Sequence, residues 1–525
     1  MSLITEAKSR DLHRSSGRQT LAHGWLVPLA IAIAVGVLSP LIFLVLQAFN
    51  VGRSELAAIL WRSLTASLLL NTVGLVIAVS LSAAMLGCVV ALWLDRLSPR
   101  MASLILPVVV LPVAIPDFLV SYGWRTLFPS LHGFGAAWLV MVLATFPLVS
   151  LPTFAAVRGM DRGVIEVAQS LGASRRQRAW LVFAQIRAAV VGGSLLVALV
   201  VLAEYGAFEI LGFQTFTTEI FTQFKLGFEA TGACALSLMV VLLSILAVGI
   251  ELPLSGPRLQ LRAAGTVSQS DRLRPQRGAL FGLAVTAVLG LGVPLGAIIY
   301  LMLAGPVASL PTASVFGPLV HSASYAAGAA VIVTMAALPL ALLTRRGSGR
   351  LGQIIERSTF LVMAIPGLVV ALGFTWAASR FGQGFGYQSA WLLIAAYSVI
   401  FFPLGLVSVR ASVAQTSYQF EELARSLGAS PSAAFRRVTL PLLLPGILSS
   451  LALVFLAALT ELTATLVLIP TGASTLSSEF WTFETNASYG QAAPFALAMV
   501  LLGAVPTVAL SRYFDRRPSR QGADR

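Results

Sequence analysis

The sequence predicts an all-α polytopic membrane protein, about twelve transmembrane helices arranged as two parallel six-helix repeats. Three observations carry that reading: a composition too apolar for water, a one-sided distribution of basic residues, and a repeat at about 250 residues. Of 525 residues, 57% are hydrophobic and 11% charged, against about 25% charged in an ordinary soluble domain. So few charges cannot coat so much apolar side chain, and the same numbers exclude a disordered chain. Cys88 and Cys234 are the only cysteines, which excludes a disulfide scaffold and a Cys-rich metal site.

A membrane-crossing helix needs about 20 apolar residues. Such stretches fall near 25–47, 66–92, 103–124, 135–157, 189–210 and 231–251, and again near 279–304, 316–343, 358–379, 389–409, 445–469 and 492–511. The first is too long for a cleaved signal and lacks a small-residue cleavage site, so it reads as a retained span. Thirty of the 35 Lys and Arg residues lie in the two tails, the central linker and the even-numbered loops. The opposite side holds only Arg53, Arg62, Arg125, Lys225 and Arg380. Basic loops stay in the cytoplasm, which predicts cytoplasmic N- and C-termini. The formal charge of +14 is therefore a topology signal, and no nucleic-acid partner is expected.

The repeat is read from polar positions, which chance similarity between Leu/Ala-rich helices does not match. Glu166-Val-Ala-Gln-Ser-Leu-Gly172-Ala-Ser174 returns as Glu422-Leu-Ala-Arg-Ser-Leu-Gly428-Ala-Ser430, seven identities in nine at an offset of 256. Phe146-Pro147 returns as Phe402-Pro403, Ala114-Ile115-Pro116 as Ala364-Ile365-Pro366, and Phe134-Gly135 as Phe385-Gly386. Six spans per copy keep both copies in one orientation. The predicted organisation is a tail over 1–24, a first membrane domain over 25–252, a linker over 253–278, a second membrane domain over 279–511 and a tail over 512–525.

The loop between the fourth and fifth spans of each copy reads as a short helix, a glycine stop and an amphipathic stretch entering the membrane. Thr416 and Gln419 have capping-box spacing, Glu421 and Glu422 suit the start of a helix, and Gly428 permits a turn at its end. A helix of this kind either lies in the headgroups or fills another protein's groove. Its presence in both copies favours a two-fold symmetric partner.

The Glu-x-Ala-x3-Gly pattern, continuing to Phe435, Val438, Leu440 and Pro441, resembles the EAA loop of ABC importer permeases. The resemblance implies a type I importer-like fold in which Glu166, Ala168, Gly172, Glu422, Ala424 and Gly428 couple the membrane domains to a dimer of cytoplasmic ATPase subunits. The first copy departs from the pattern with Ala184-Gln185 where Leu-Pro is usual. No Gly-x4-Gly-Lys-Ser/Thr occurs, and Lys8 and Lys225 are the only lysines. The chain is thus expected to be no enzyme and to hold no cofactor, with ATP and Mg on the partner.

Acidic residues inside spans are suspects for a substrate path. Glu204 and Glu461 occupy corresponding places at an offset of 257; the alternative is a carboxylate that ties the bundle together. Asp117, Glu209 and Glu251 lie nearer span ends. Ala203-Glu204-Tyr205-Gly206 and Gln214-Thr-Phe-Thr-Thr218 resemble the ferric-iron permeases of this class, as does Glu461-Leu-Thr-Ala-Thr465. Thr460 and Thr463 stand where those permeases carry lysine and proline. The resemblance implies ferric iron as substrate, delivered by an extracytoplasmic binding protein to one permease chain per complex in a bacterial inner membrane. Iron as a hard cation suits carboxylates, and no metal site is assigned. Fused permeases of this kind also include thiamine transporters. The competing class is an ion-coupled secondary transporter of six-plus-six design.

Overall fold

A computed structural model describes residues 26–225, 230–255, 277–304, 312–345, 362, 365–381, 388–416 and 418–515. The predicted tail over 1–24, most of the linker and Phe385-Gly386 lie outside these residues. The described chain begins with α1 (Leu26–Val51), α2 (Arg53–Leu60), α3 (Ser63–Asp95), α4 (Pro99–Val110) and α5 (Asp117–Leu127). It continues with α6 (Gly133–Arg158), α7 (Arg162–Ser170), α8 (Arg175–Ala203), α9 (Gly206–Ile210), α10 (Phe216–Lys225) and α11 (Ala230–Ser255). Then come α12 (Arg277–Ala287), α13 (Val293–Ala304), α14 (Thr312–Arg345), α15 (Gly367–Phe381), α16 (Ala390–Ile400) and α17 (Phe402–Gln415). The last are α18 (Tyr418–Ser426), α19 (Pro431–Ala434), α20 (Leu440–Leu459), α21 (Thr463–Leu468), α22 (Leu476–Thr485) and α23 (Tyr489–Asp515).

Among the described residues, eight helices are long and apolar enough to cross a membrane, and ten when two bent pairs count as one span each. The other two expected spans are 358–379, described only in part, and 492–511 within α23, whose apolar portion Tyr489–Ala504 is shorter. The bent pairs have local causes. Between α4 and α5 the chain turns through 92°, because Ile115, preceding Pro116, is held extended (φ −93°, ψ 125°), as residues before proline are. Widened π segments at Val288–Gly292 and Phe435–Thr439 precede Pro294 and Pro441. Each proline lacks the N–H its helix needs and crowds the carbonyl four residues back.

Two predicted spans end earlier than expected. The stretch read as 189–210 is the continuous α8, which stops at Ala203, and the stretch read as 445–469 stops at Leu459. In both, the chain turns and restarts as a short helix, so Glu204 and Glu461 sit at breaks rather than within helices. Thr416 also departs from its expected capping box: its hydroxyl donates to the Ser412 carbonyl at 2.9 Å and closes α17.

The chain folds as two compact units that cut across the sequence repeat: one from the described parts of 1–42, 325–363 and 394–458, the other from 43–324, 364–393 and 459–525. In the larger unit, α3, α6 and α8 approach through small residues, the packing device available where lipid removes the hydrophobic drive between helices. A Cβ on Gly87 would lie 2.7 Å from the Val149 Cβ, and one on Gly193 2.7 Å from the Val149 Cα. In the smaller unit the fit is reversed. Gly405, the repeat equivalent of Val149, is the small partner, and a Cβ there would meet Val333 Cγ1 at 2.3 Å. Beside it the Thr334 and Ser450 hydroxyls share a hydrogen bond of 2.8 Å.

Candidate functional site

Helix α7 starts on Asp161, whose side chain accepts from the Gly163 N–H at 2.9 Å. It ends on Gly172, which takes a left-handed φ of +78°. The Gly172 N–H donates to the Gln169 carbonyl at 3.0 Å and the Ala173 N–H to the Ala168 carbonyl at 2.9 Å. This paired closure is a Schellman stop. Helix α18 ends identically: Gly428 has φ +90°, its N–H donates to the Arg425 carbonyl at 3.1 Å, and the Ala429 N–H donates to the Ala424 carbonyl at 3.0 Å. Ala168 and Ala424 therefore hold the same position, the carbonyl that closes the turn. Ser174 and Ser430 then cap the next helix through hydroxyls that accept from the Gln177 and Ala433 N–H groups.

Glu166 and Glu422 are exposed, as are Gly172 and Gly428. Each helix also exposes three apolar side chains at matched positions: Val164, Val167 and Leu171 in the first, Phe420, Leu423 and Leu427 in the second. Spacings of three and four place each set on one face. Leu171 is 81% exposed and Leu427 80%.

Glu204 and Glu461 form a second repeated pair. The Glu204 carboxylate accepts from the Ala207 N–H at 2.7 Å and caps α9. Glu461 accepts from the Ala464 N–H at 2.7 Å and the Thr463 hydroxyl at 2.6 Å, capping α21. The backbone carbonyl of each glutamate accepts a hydroxyl from the start of the next helix, Thr217 in one copy and Ser477 in the other. Those starts are pinned alike: the Phe216 N–H donates to Thr72 Oγ1 at 3.2 Å and the Leu476 N–H to Ser322 Oγ at 2.8 Å. Gly212 and Gly472 turn the intervening loops at φ +62° and +82°.

The two breaks meet. A Cβ on Gly206 would lie 2.7 Å from Leu462 Cδ2 and 3.0 Å from the Phe118 Cβ, so the residues following Glu204, Glu461 and Asp117 converge. Asp117 and Glu461 are both close enough to act electrostatically on Glu204, and all three are half-buried. Asp117 was the less legible member, because its repeat equivalent is Gly367 and no pattern marks it. Among the described residues no three His, Cys, Asp or Glu side chains are placed to hold a metal ion together.

Residues 83–252 and 334–520, more than half of the chain, match the family described as binding-protein-dependent transport system inner membrane component. The chain belongs to that family. It is a multi-pass inner membrane permease of the ABC importer class, with the family domain present twice. The Fe(3+)-transport system permease protein FbpB 2 of Haemophilus influenzae is 33% identical over 499 residues, 93% of this permease and 98% of the relative. A putative 2-aminoethylphosphonate transport system permease protein, PhnV of Salmonella typhimurium, is 31% identical over 157 residues, 30% of this chain and 59% of the relative. The molybdenum transport system permease protein ModB of Mycobacterium tuberculosis is 31% identical over 157 residues, 28% of this chain and 60% of the relative.

Proposed function

We propose that this permease imports ferric iron. The observation that carries the reading is the convergence of Asp117, Glu204 and Glu461 at the two repeated helix breaks. Three carboxylates attract a hard cation and repel an anion such as a phosphonate. The iron-permease relative also spans nearly the whole chain, while the phosphonate and molybdenum relatives match less than a third of it.

Iron arrives on an extracytoplasmic binding protein and leaves into the cytoplasm, where both termini lie. The chain is no enzyme and holds no cofactor: ATP and Mg belong to a separate dimer of ATPase subunits, and one fused permease chain serves each complex. The exposed apolar faces of α7 and α18, with Glu166, Ala168 and Gly172 in one and Glu422, Ala424 and Gly428 in the other, dock on that dimer. ATP-driven closure moves both helices and switches the permease between outward- and inward-facing forms. Moving such an equilibrium from 1:99 to 99:1 takes about 5.5 kcal/mol of differential binding, which the partner supplies.

The test is uptake of radiolabelled ferric iron by cells producing the permease with its binding protein and ATPase, with excess thiamine or molybdate present. Iron uptake that ignores both competitors is the expected result. Uptake blocked by thiamine, or thiamine uptake in place of iron, assigns the carboxylates to an organic cation and overturns the iron reading.

A further inference from the structure

Helix α8 carries four arginines, Arg175, Arg176, Arg178 and Arg187, all near its start. From Ala188 to Ala203 its 16 residues are uncharged and rise about 24 Å through a hydrocarbon core of about 30 Å. Arg187 therefore stands at the edge of that core, and the turns before it lie at headgroup level. Their helical spacing puts Arg176, Trp180, Phe183 and Arg187 on one face, so two aromatic rings lie between two arginines. The rings pack with centroids 5.8 Å apart, and both are open: Trp180 is 65% exposed and Phe183 40%. With Ala173, Arg176 and Leu181 they line a groove of about 930 Å³.

The start of the helix supplies an independent observation. A helix N-terminus is the positive end of its dipole and disfavours cations, yet Arg175 and Arg176 occupy the first turn of α8 with no acidic residue there. Among the described residues neither they nor Arg187 forms an ion pair. Arg178 donates to the neutral Gln169 side chain, and its Nε is buried without a partner. Positive charge gathered at a positive pole calls for an anion. The second copy has no such face: the positions equivalent to Arg175, Arg176 and Arg187 hold Pro431, Ser432 and Leu443, and those equivalent to Trp180 and Phe183 hold Arg436 and Thr439. A two-fold symmetric ATPase dimer offers the same surface to both copies, so a groove present in one copy is not shaped for it.

We propose that this face of α8 seats an anionic phospholipid of the cytoplasmic leaflet. The inference rests on the cytoplasmic placement of α7 proposed above. Arg176 meets the headgroup phosphate from the water side. Arg187 reaches it from below, its apolar stem lying along the helix while the guanidinium returns to the interface. Guanidinium groups hold phosphate oxygens through paired hydrogen bonds. Trp180 and Phe183 pack against the glycerol backbone and the first acyl carbons, the level at which aromatic rings gather in membranes. The arginines decide the headgroup: basic residues at that surface attract anionic lipid, whereas the rings alone would accept a zwitterionic lipid equally.

The experiment places the full-length permease, complexed with its ATPase, in phosphatidylcholine nanodiscs with increasing fractions of phosphatidylglycerol brominated on its acyl chains, which quenches tryptophan fluorescence. The wild type is expected to be quenched more than by brominated phosphatidylcholine at the same fraction, and Trp180→Phe to lose that excess. Arg176→Gln combined with Arg187→Gln should raise the half-quenching fraction by at least about tenfold. Arg436→Gln, at the position equivalent to Trp180, should leave it unchanged and controls for overall charge. Equal quenching by the two lipids, or an excess that survives Trp180→Phe or the double arginine variant, overturns the site. Quenching of Trp180 that appears only once the ATPase is removed gives the face to the ATPase and overturns it as well. A second readout separates the two levels: Ser170→Cys on α7 should react with an impermeant maleimide only in opened cells. Labelling in intact cells sinks the cytoplasmic placement, whereas labelling in opened cells alone, without the lipid preference, sinks the lipid site and leaves the placement standing.

Discussion

Helices α7 and α18 expose the same three apolar positions and end on the same left-handed glycine, yet they are tied to the helices behind them by different chemistry. In the first copy the Gln185 side chain accepts from the Asp161 N–H at 3.2 Å, and Arg178 donates to Gln169 at 3.1 Å. Helix α8 then runs unbroken into the membrane. In the second copy the Thr439 hydroxyl donates to the buried Glu421 carboxylate at 3.2 Å, beside the π segment that Pro441 imposes. The positions equivalent to Glu421 and Thr439 are Ile165 and Phe183, an apolar pair replacing a polar one. What a partner would touch has been kept alike, while what faces the permease itself has diverged. On the docking role proposed above, the two copies present matched faces to the partner and are joined to the membrane helices by different hydrogen bonds.

The largest expected effect comes from removing the shared feature in both copies. Gly172→Asp with Gly428→Asp places β-carbons in left-handed backbone, at about 1–2 kcal/mol each, and adds charge beside the apolar faces. Iron uptake should fall to background while membrane fractionation shows normal insertion; retained uptake would dismiss the docking assignment. Next come Leu171→Asp and Leu427→Asp, made singly. Because these leucines are more exposed than any others on their faces, each should weaken ATPase capture by about tenfold or more, and by similar factors in the two copies. A strong effect in one copy alone would break the equality of docking.

The tethers should separate the copies. Glu421→Ala leaves the buried Thr439 hydroxyl unpaired, at about 1–3 kcal/mol, and is expected to lower transport per ATP several-fold, with partial rescue by Thr439→Val. Gln185→Ala removes one exposed hydrogen bond worth about 0.5–1.5 kcal/mol, so its effect on the same ratio should be no more than about threefold. Equal losses from the two would show that the tethers are equivalent after all.

Much of this was legible in the sequence, for identifiable reasons. The repeated Glu-x-Ala-x3-Gly loops place their glycines where a helix must end, so local pattern sufficed to find α7 and α18. The ends of the spans over 189–210 and 445–469 were misplaced because Tyr205, Ala207, Phe208 and Leu462 to Leu468 are as apolar as the helices before them. Hydropathy alone cannot see a carboxylate turning back to cap a new helix. The place of Asp117 beside the two breaks was hidden for another reason. Its neighbours are distant in sequence and unrepeated, and only the packing of Gly206 against Leu462 and Phe118 brings them together.

The central claim is that this permease takes its power from a partner ATPase and passes iron between its two repeats. It is tested most directly in sealed vesicles holding the permease and ATPase, with iron-loaded binding protein outside. The account predicts iron accumulation that requires internal ATP and persists when proton and sodium gradients are collapsed. Accumulation driven by an ion gradient without ATP would contradict it and make the chain a secondary transporter.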